Sequence, residues 1–156
     1  MSDTDDIRAL IHRWAEAVHH GDLDTVLAHH AEDIVMFDVP PPHRGVRGLE
    51  EYRDTWPGFF EWQRSGALFE IVELEVTTGH DVAFAYALLR CGRPTEQDPD
   101  VDPRLRLTLG LRREGDQWVV AHEHHSFADT SVPAEAAEHA VHDGRSGETH
   151  AGASKP

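Results

Sequence analysis

The sequence predicts an α+β domain: a cone of three N-terminal helices packed on a curved, mostly antiparallel sheet. Three observations predict it. Up to Trp62 the apolar residues recur mostly at helical spacing. One short β-branched stretch, IVMFDV, interrupts that half. From Leu68 onward the pattern changes to four runs rich in Val, Leu, Ile and aromatics. Helices followed by a run of antiparallel strands put the helices on one side of one sheet. A strongly curved sheet around them leaves an open hollow, where a small ligand fits.

The elements follow in order. Ser2 to His20 reads as a helix, because Ile7, Leu10, Ile11, Trp14 and Val18 share one face. Asp3, Asp5 and Asp6 suit its positive end, and Gly21 is a natural stop. Asp22 caps a second, short helix with Leu23, Val26 and Leu27 as its apolar face. Ile34 to Val39 is a strand, ended by Pro40, Pro41 and Pro42. Leu49 to Trp62 is a third helix, and Pro57 inside it predicts a kink or a break. FEIVELEV, VAFAYALL, LRLTLGL and WVVAHEHHSF are the four strands. Gly79-His80-Asp81 and Glu114-Gly115-Asp116 supply turns between neighbours. Gly92 to Pro103 is acidic and broken by prolines, as a long exposed loop is. The domain is expected to span 1–128, followed by an acidic, disordered tail over 129–156 with at most a short helix at Ala134 to His142.

Composition narrows the function. A chain of 156 residues can bury a core without a disulfide or metal, and Cys91 is its single cysteine. The net charge of -15 argues against nucleic acid and anionic membranes as partners. The N-terminus is acidic and no apolar run approaches a membrane span, so a cytoplasmic protein is expected. The 13 histidines either make the charge strongly pH-dependent or form a solubilising surface. No glycine-rich phosphate loop, G-x-S-x-G or CxxC is present, and no cofactor is expected.

The densest chemistry lies at 122–126, HEHHS. Side chains alternate along a strand, so His122, His124 and Ser126 share one face with Trp118 and Val120. Glu123 and His125 take the other. The preceding strand carries Leu105, Leu107, Leu109 and Leu111 on its core face. Pairing even with even turns Glu123 and His125 inward and sets His122 and His124 beside Arg106 and Thr108 outside. A bulge would reverse this. Three readings follow. The H-x-H pair could chelate a metal if His43, Asp38 or Glu123 completed the set. His122 and His124 could hydrogen-bond across a sheet-to-sheet homodimer interface. Or one or two of the histidines act as acid, base or donor in the hollow.

Two long stretches carry a resemblance. IHRWAEAVHHGDLDTVLAHHAEDIVMFDVP resembles the opening of the nuclear-transport-factor-2-like superfamily, which includes ketosteroid isomerases and SnoaL-like cyclases. RLTLGLRREGDQWVVAHEHHSF is similar to the R-x-T … G-x-W-x-x-x-H-x-H-x-S pattern of SnoaL-like domains and of the calmodulin-dependent kinase association domain. The resemblance implies the cone fold and a pairing of sheets into a homodimer. It places Asp38 at the position of the isomerases' general base. Trp14 stands where those enzymes carry an oxyanion-hole tyrosine, and Leu109 near where they carry a protonated aspartic acid, so both of those donors are missing.

The expected function is a cofactor-independent isomerase, lyase or cyclase acting on a small, mostly apolar carbonyl compound. Asp38, His125 and His122 are its candidate catalytic residues. Trp14, Tyr52, Trp56, Tyr86, Arg106, Glu123 and His124 are its candidate ligand contacts. Each has a plainer reading. Asp38 also reads as a cap of the proline turn or a partner of Arg44 or Arg47, the aromatics as core, Arg106 as an interface residue, and Cys91 as inert. The alternative is a non-catalytic module of the same fold that binds a small ligand or dimerises. The hollow discriminates: two titratable groups on one void favour the enzyme, and a void filled by Trp14 and Phe60 favours the module.

Overall fold

The computed structural model describes residues 1–93, 104–129 and 131. The expected loop through Pro103, the helix at Ala134 to His142 and nearly all of the expected tail lie outside the described residues. The order is α1 (Asp3–His20), α2 (Leu23–Leu27), β1 (His30–Phe37), β2 (Val46–Arg47), α3 (Leu49–Gln63), β3 (Leu68–Thr78), β4 (Val82–Gly92), β5 (Arg104–Glu114) and β6 (Gln117–Phe127). The strands form one curved sheet in the order β2-β1-β6-β5-β4-β3, parallel only between β1 and β6.

Local chemistry explains the helix ends. Ser2 caps α1 through a reciprocal box with Asp5. Gly21 closes it in the left-handed conformation at φ 72. Asp22 accepts from Thr25 and opens α2. Helix α3 runs unbroken through Pro57, against the expectation of a possible break. The proline ring is on the exposed side, where the unpaired carbonyl before it can be hydrated.

Strand β1 differs from its expected span. It starts four residues earlier, at His30, and ends one residue before Asp38. The two-residue β2 was missed because its apolar pattern is too short to read. Between them Gly45 sits at φ +83 with the Phe37 ring 2.7 Å from where a Cβ would be, so only glycine fits there.

The sheet has a helix side and an open side. Leu105, Leu107, Leu109 and Leu111 of β5 all face the helices and are buried. Glu123 and His125 of β6 face the same way, opposite Leu109 and Leu107. A register shift at Ala121 changes the earlier part of β6. Leu111 pairs with Val120 while Gly110 pairs with His122, so Ala121 is a surplus residue. Trp118 and Val120 therefore point inward, not outward with His122 and His124. Trp118 is buried, donates to Asp3 and lies under the Arg113 guanidinium.

Candidate functional site

The main cavity, about 540 Å³, opens between the loop after β1, helix α3 and the ends of β3 to β6. Trp56, Phe59, Trp62, Phe69, Leu105 and Phe127 make most of its wall. Asp38, His125, Thr55 and Cys91 are its polar and thiol side chains. Asp38 and His125 thus share one apolar void. The Asp38 Oδ1 accepts from the Val39 backbone at 2.7 Å, which orients the carboxylate at the cavity edge.

His125 is held from behind. Its Nε2 meets Glu123 Oε2 at 2.9 Å, and Glu123 is fully buried. The other carboxylate oxygen accepts from Tyr52 at 2.7 Å and from His30 Nε2 at 3.0 Å. Trp14 Nε1 donates to the Tyr52 hydroxyl at 3.2 Å. Trp56 Nε1 lies near the same hydroxyl but makes no hydrogen bond of normal geometry. His30 reaches the network because His29 adopts φ 56, turning the chain just before β1.

These contacts set the charges. Burial alone raises the Glu123 carboxyl, but the hydrogen bonds and charges of His125 and His30 outweigh it and hold the group at about 2. Burial works against a charged His125, yet the Glu123 hydrogen bond and charge, with Asp38 adding to them, raise it above its ordinary value. Burial, then the Glu123 charge, keeps Tyr52 a protonated donor, well above the usual phenol value. Burial, with Asp38 nearby, pushes the Cys91 thiol up to about 11, which leaves it unreactive at neutral pH.

Not every candidate reaches the cavity. Trp14 and Tyr52 lie beneath it in the buried network, because each has spent its polar group on a neighbour. Glu123 likewise lies behind the wall, bonded to His125. Tyr86 stands on the open face of the sheet at 48% exposure, since the alternation of β4 turns Ala85 and Ala87 inward. Arg106 is also outside and bonds Ser126 and the Phe127 carbonyl. His124 is exposed on that face, and His122 beside it bonds the Val35 carbonyl. His122, expected as a catalytic candidate, therefore does not line the hollow. Among the described residues no three His, Cys, Asp or Glu side chains converge as metal ligands do.

Sequence reasoning missed His30 and the cavity walls Phe69, Leu105 and Phe127. The doubled His29-His30 before AED was the available signal. Leu109 sits opposite Glu123 on β5, so the position read as lacking a carboxylic acid has one directly across the strand pair.

A SnoaL-like domain model matches residues 7–130. The chain belongs to the SnoaL-like domain family. This SnoaL-like domain is also similar to an NTF2-like protein of unknown function from Pseudomonas putida KT2440, at 36% identity and TM-score 0.70, covering 79% of this chain and 84% of that one. An NTF2-like protein with a cystatin-like fold from Novosphingobium aromaticivorans shares 18% identity, TM-score 0.70 and 87% of each chain. A ketosteroid isomerase-like protein from Erwinia carotovora atroseptica SCRI1043 shares 19% identity and TM-score 0.60, over 82% of this chain and 98% of that one. The last two likenesses speak for the fold alone. No curated protein matches the chain.

Proposed function

We propose that this SnoaL-like domain is a cofactor-independent isomerase, lyase or cyclase for small, mostly apolar carbonyl compounds. One observation carries the reading: a carboxylate and a histidine line the same apolar cavity, and a buried glutamate holds the histidine. In the proposed step Asp38 removes a proton from a carbon next to the carbonyl. The C–H electron pair becomes a carbon–carbon double bond to the carbonyl carbon, and the carbonyl π pair moves onto the oxygen. His125, kept charged by Glu123, donates a hydrogen bond to that oxygen as it becomes negative. Asp38 or His125 then returns a proton to carbon. His125 so replaces the two donors absent at positions 14 and 109, and Trp56, Phe59 and Trp62 hold the apolar body of the ligand.

The test is deuterium exchange at the α-carbon of 2-tetralone and cyclohex-3-enone, followed by proton NMR. The wild type is expected to accelerate exchange. Asp38→Asn is expected to slow it by about 10² to 10⁴, with an unchanged thermal melt. An Asn variant that exchanges as fast as wild type removes the base role. Binding of these ketones without any exchange favours the alternative, a ligand-binding module.

A second surface supports the expected homodimer. On the open face of the sheet Val82, Phe84 and Tyr86 are 65%, 52% and 48% exposed, next to Arg106, Thr108 and His124. An apolar centre with a polar border is what pairing interfaces present.

A further inference from the structure

We infer that His30 is the buried counter-cation that lets His125 change its charge, and that it thereby sets how tightly the cavity histidine holds its proton. The inference rests on the proposed role of His125, but its test involves no turnover.

The hydrogen bonds of His30 fix its state. Nδ1 faces the Ala28 carbonyl at 2.9 Å, and a carbonyl only accepts, so Nδ1 carries a hydrogen. Nε2 faces a carboxylate oxygen of Glu123 at 3.0 Å, which only accepts while ionised, and the Tyr52 hydroxyl at 3.2 Å, whose single hydrogen goes to that same carboxylate oxygen. The ring therefore donates on both sides and is a cation. Its side chain and that of Glu123 are both 0% exposed, so water cannot take over either charge.

This second cation answers a problem that His125 creates. A histidine that gives a proton to a ligand becomes neutral. With no other partner, that would strand a fully buried carboxylate, and a stranded buried charge is strongly destabilising. Glu123 instead stays paired with His30 and hydrogen-bonded to Tyr52 when His125 discharges. Two cations also compete for one carboxylate. His125 therefore holds its proton less tightly than it would as the only cation on Glu123, and stays within reach of proton transfer. The other titratable groups around His125 are Asp38 and Cys91, which share the cavity with it, and Tyr52, which bonds the same carboxylate. Leu107, across the strand pair, is uncharged.

The experiment is a pH titration of the histidine ring nitrogens by ¹⁵N NMR in the ligand-free protein. In wild type, His30 is expected to show both ring nitrogens protonated at pH 7. In His30→Gln, which keeps an N–H donor but no charge, the His125 midpoint is expected to rise by about one pH unit, a tenfold tighter hold on its proton. Tyr52→Phe removes a hydrogen bond without a charge and is expected to move it by clearly less. A neutral His30 in wild type, or a His125 midpoint that stays or falls in a folded His30→Gln protein, overturns the inference. The wild-type reading stands even where the variant does not fold. Failure of the Asp38 exchange test leaves this titration unaffected, so the two proposals fail separately.

Discussion

Glu123→Gln is the most informative single change. The carboxylate accepts three hydrogen bonds in a place with no water contact: His30 at 3.0 Å, Tyr52 at 2.7 Å and His125 at 2.9 Å. An amide can accept on only one of its two ends, so His125 meets an N–H in place of an acceptor. Breaking a buried charge pair in this way costs about 3–5 kcal/mol. A second route gives a similar figure. A carboxyl held at about 2 in place of 4.5 stabilises the fold by about 3 kcal/mol once it is ionised in both states. The sign follows from the direction of the shift. The Glu123 contribution is fully present above about pH 4.5 and is lost as pH falls toward 2. The His125 contribution runs the other way: it is present below 6.5 and is lost as pH rises through the elevated folded value. Both act together between about 4.5 and 6.5. Urea unfolding of wild type and Glu123→Gln is therefore expected to differ by about 3–5 kcal/mol at pH 5.5, and by progressively less at pH 4 and pH 3. A difference below about 1 kcal/mol at pH 5.5, or one that grows on acidification, would refute the charge assignment.

Two further outcomes follow from the geometry. Gly45→Ala is expected to destabilise the fold by about 1–3 kcal/mol, seen as a lower melting temperature, because the new methyl meets the Phe37 ring at 2.7 Å in a left-handed backbone. Phe84→Glu with Tyr86→Glu is expected to give a folded monomer by light scattering where wild type is a dimer; a wild type that is monomeric at tens of micromolar would end the pairing proposal.

Much of the fold was legible because its signals are local and repeated. The apolar stripe from Ile7 to Val18, and the leucines at 105, 107, 109 and 111, state both the element and its buried face. The turns at Gly79 and Gly115 bound the long strands. Strand β4 misled for a physical reason. Its aromatics, Phe84 and Tyr86, look more core-like than Ala83, Ala85 and Ala87, yet the alanines face the helices. A face that looks buried by hydropathy can be one that a partner covers, and one chain read alone does not separate the two. In the site, Asp38 was legible from its apolar neighbours and the resemblance, and Glu123 with His125 from strand parity. His30 was not, because it lies 93 positions along the chain from Glu123 and its approach depends on the preceding residue, His29, adopting a left-handed turn. The direction of Trp118 was hidden by the register shift at Ala121, which leaves no mark in the alternation of residue types.

That shift also changes what the strand can lose. A one-residue deletion in a strand normally turns every later side chain inside out. At Ala121 the count already runs one over, so its loss would leave Val120 and Glu123 on the same side and merely straighten the ladder against Gly110 and Leu111. The strand can shorten there and keep its glutamate and histidine aimed at the hollow, whereas the same loss at Val119 would point both at solvent and at His124 would turn the histidine out.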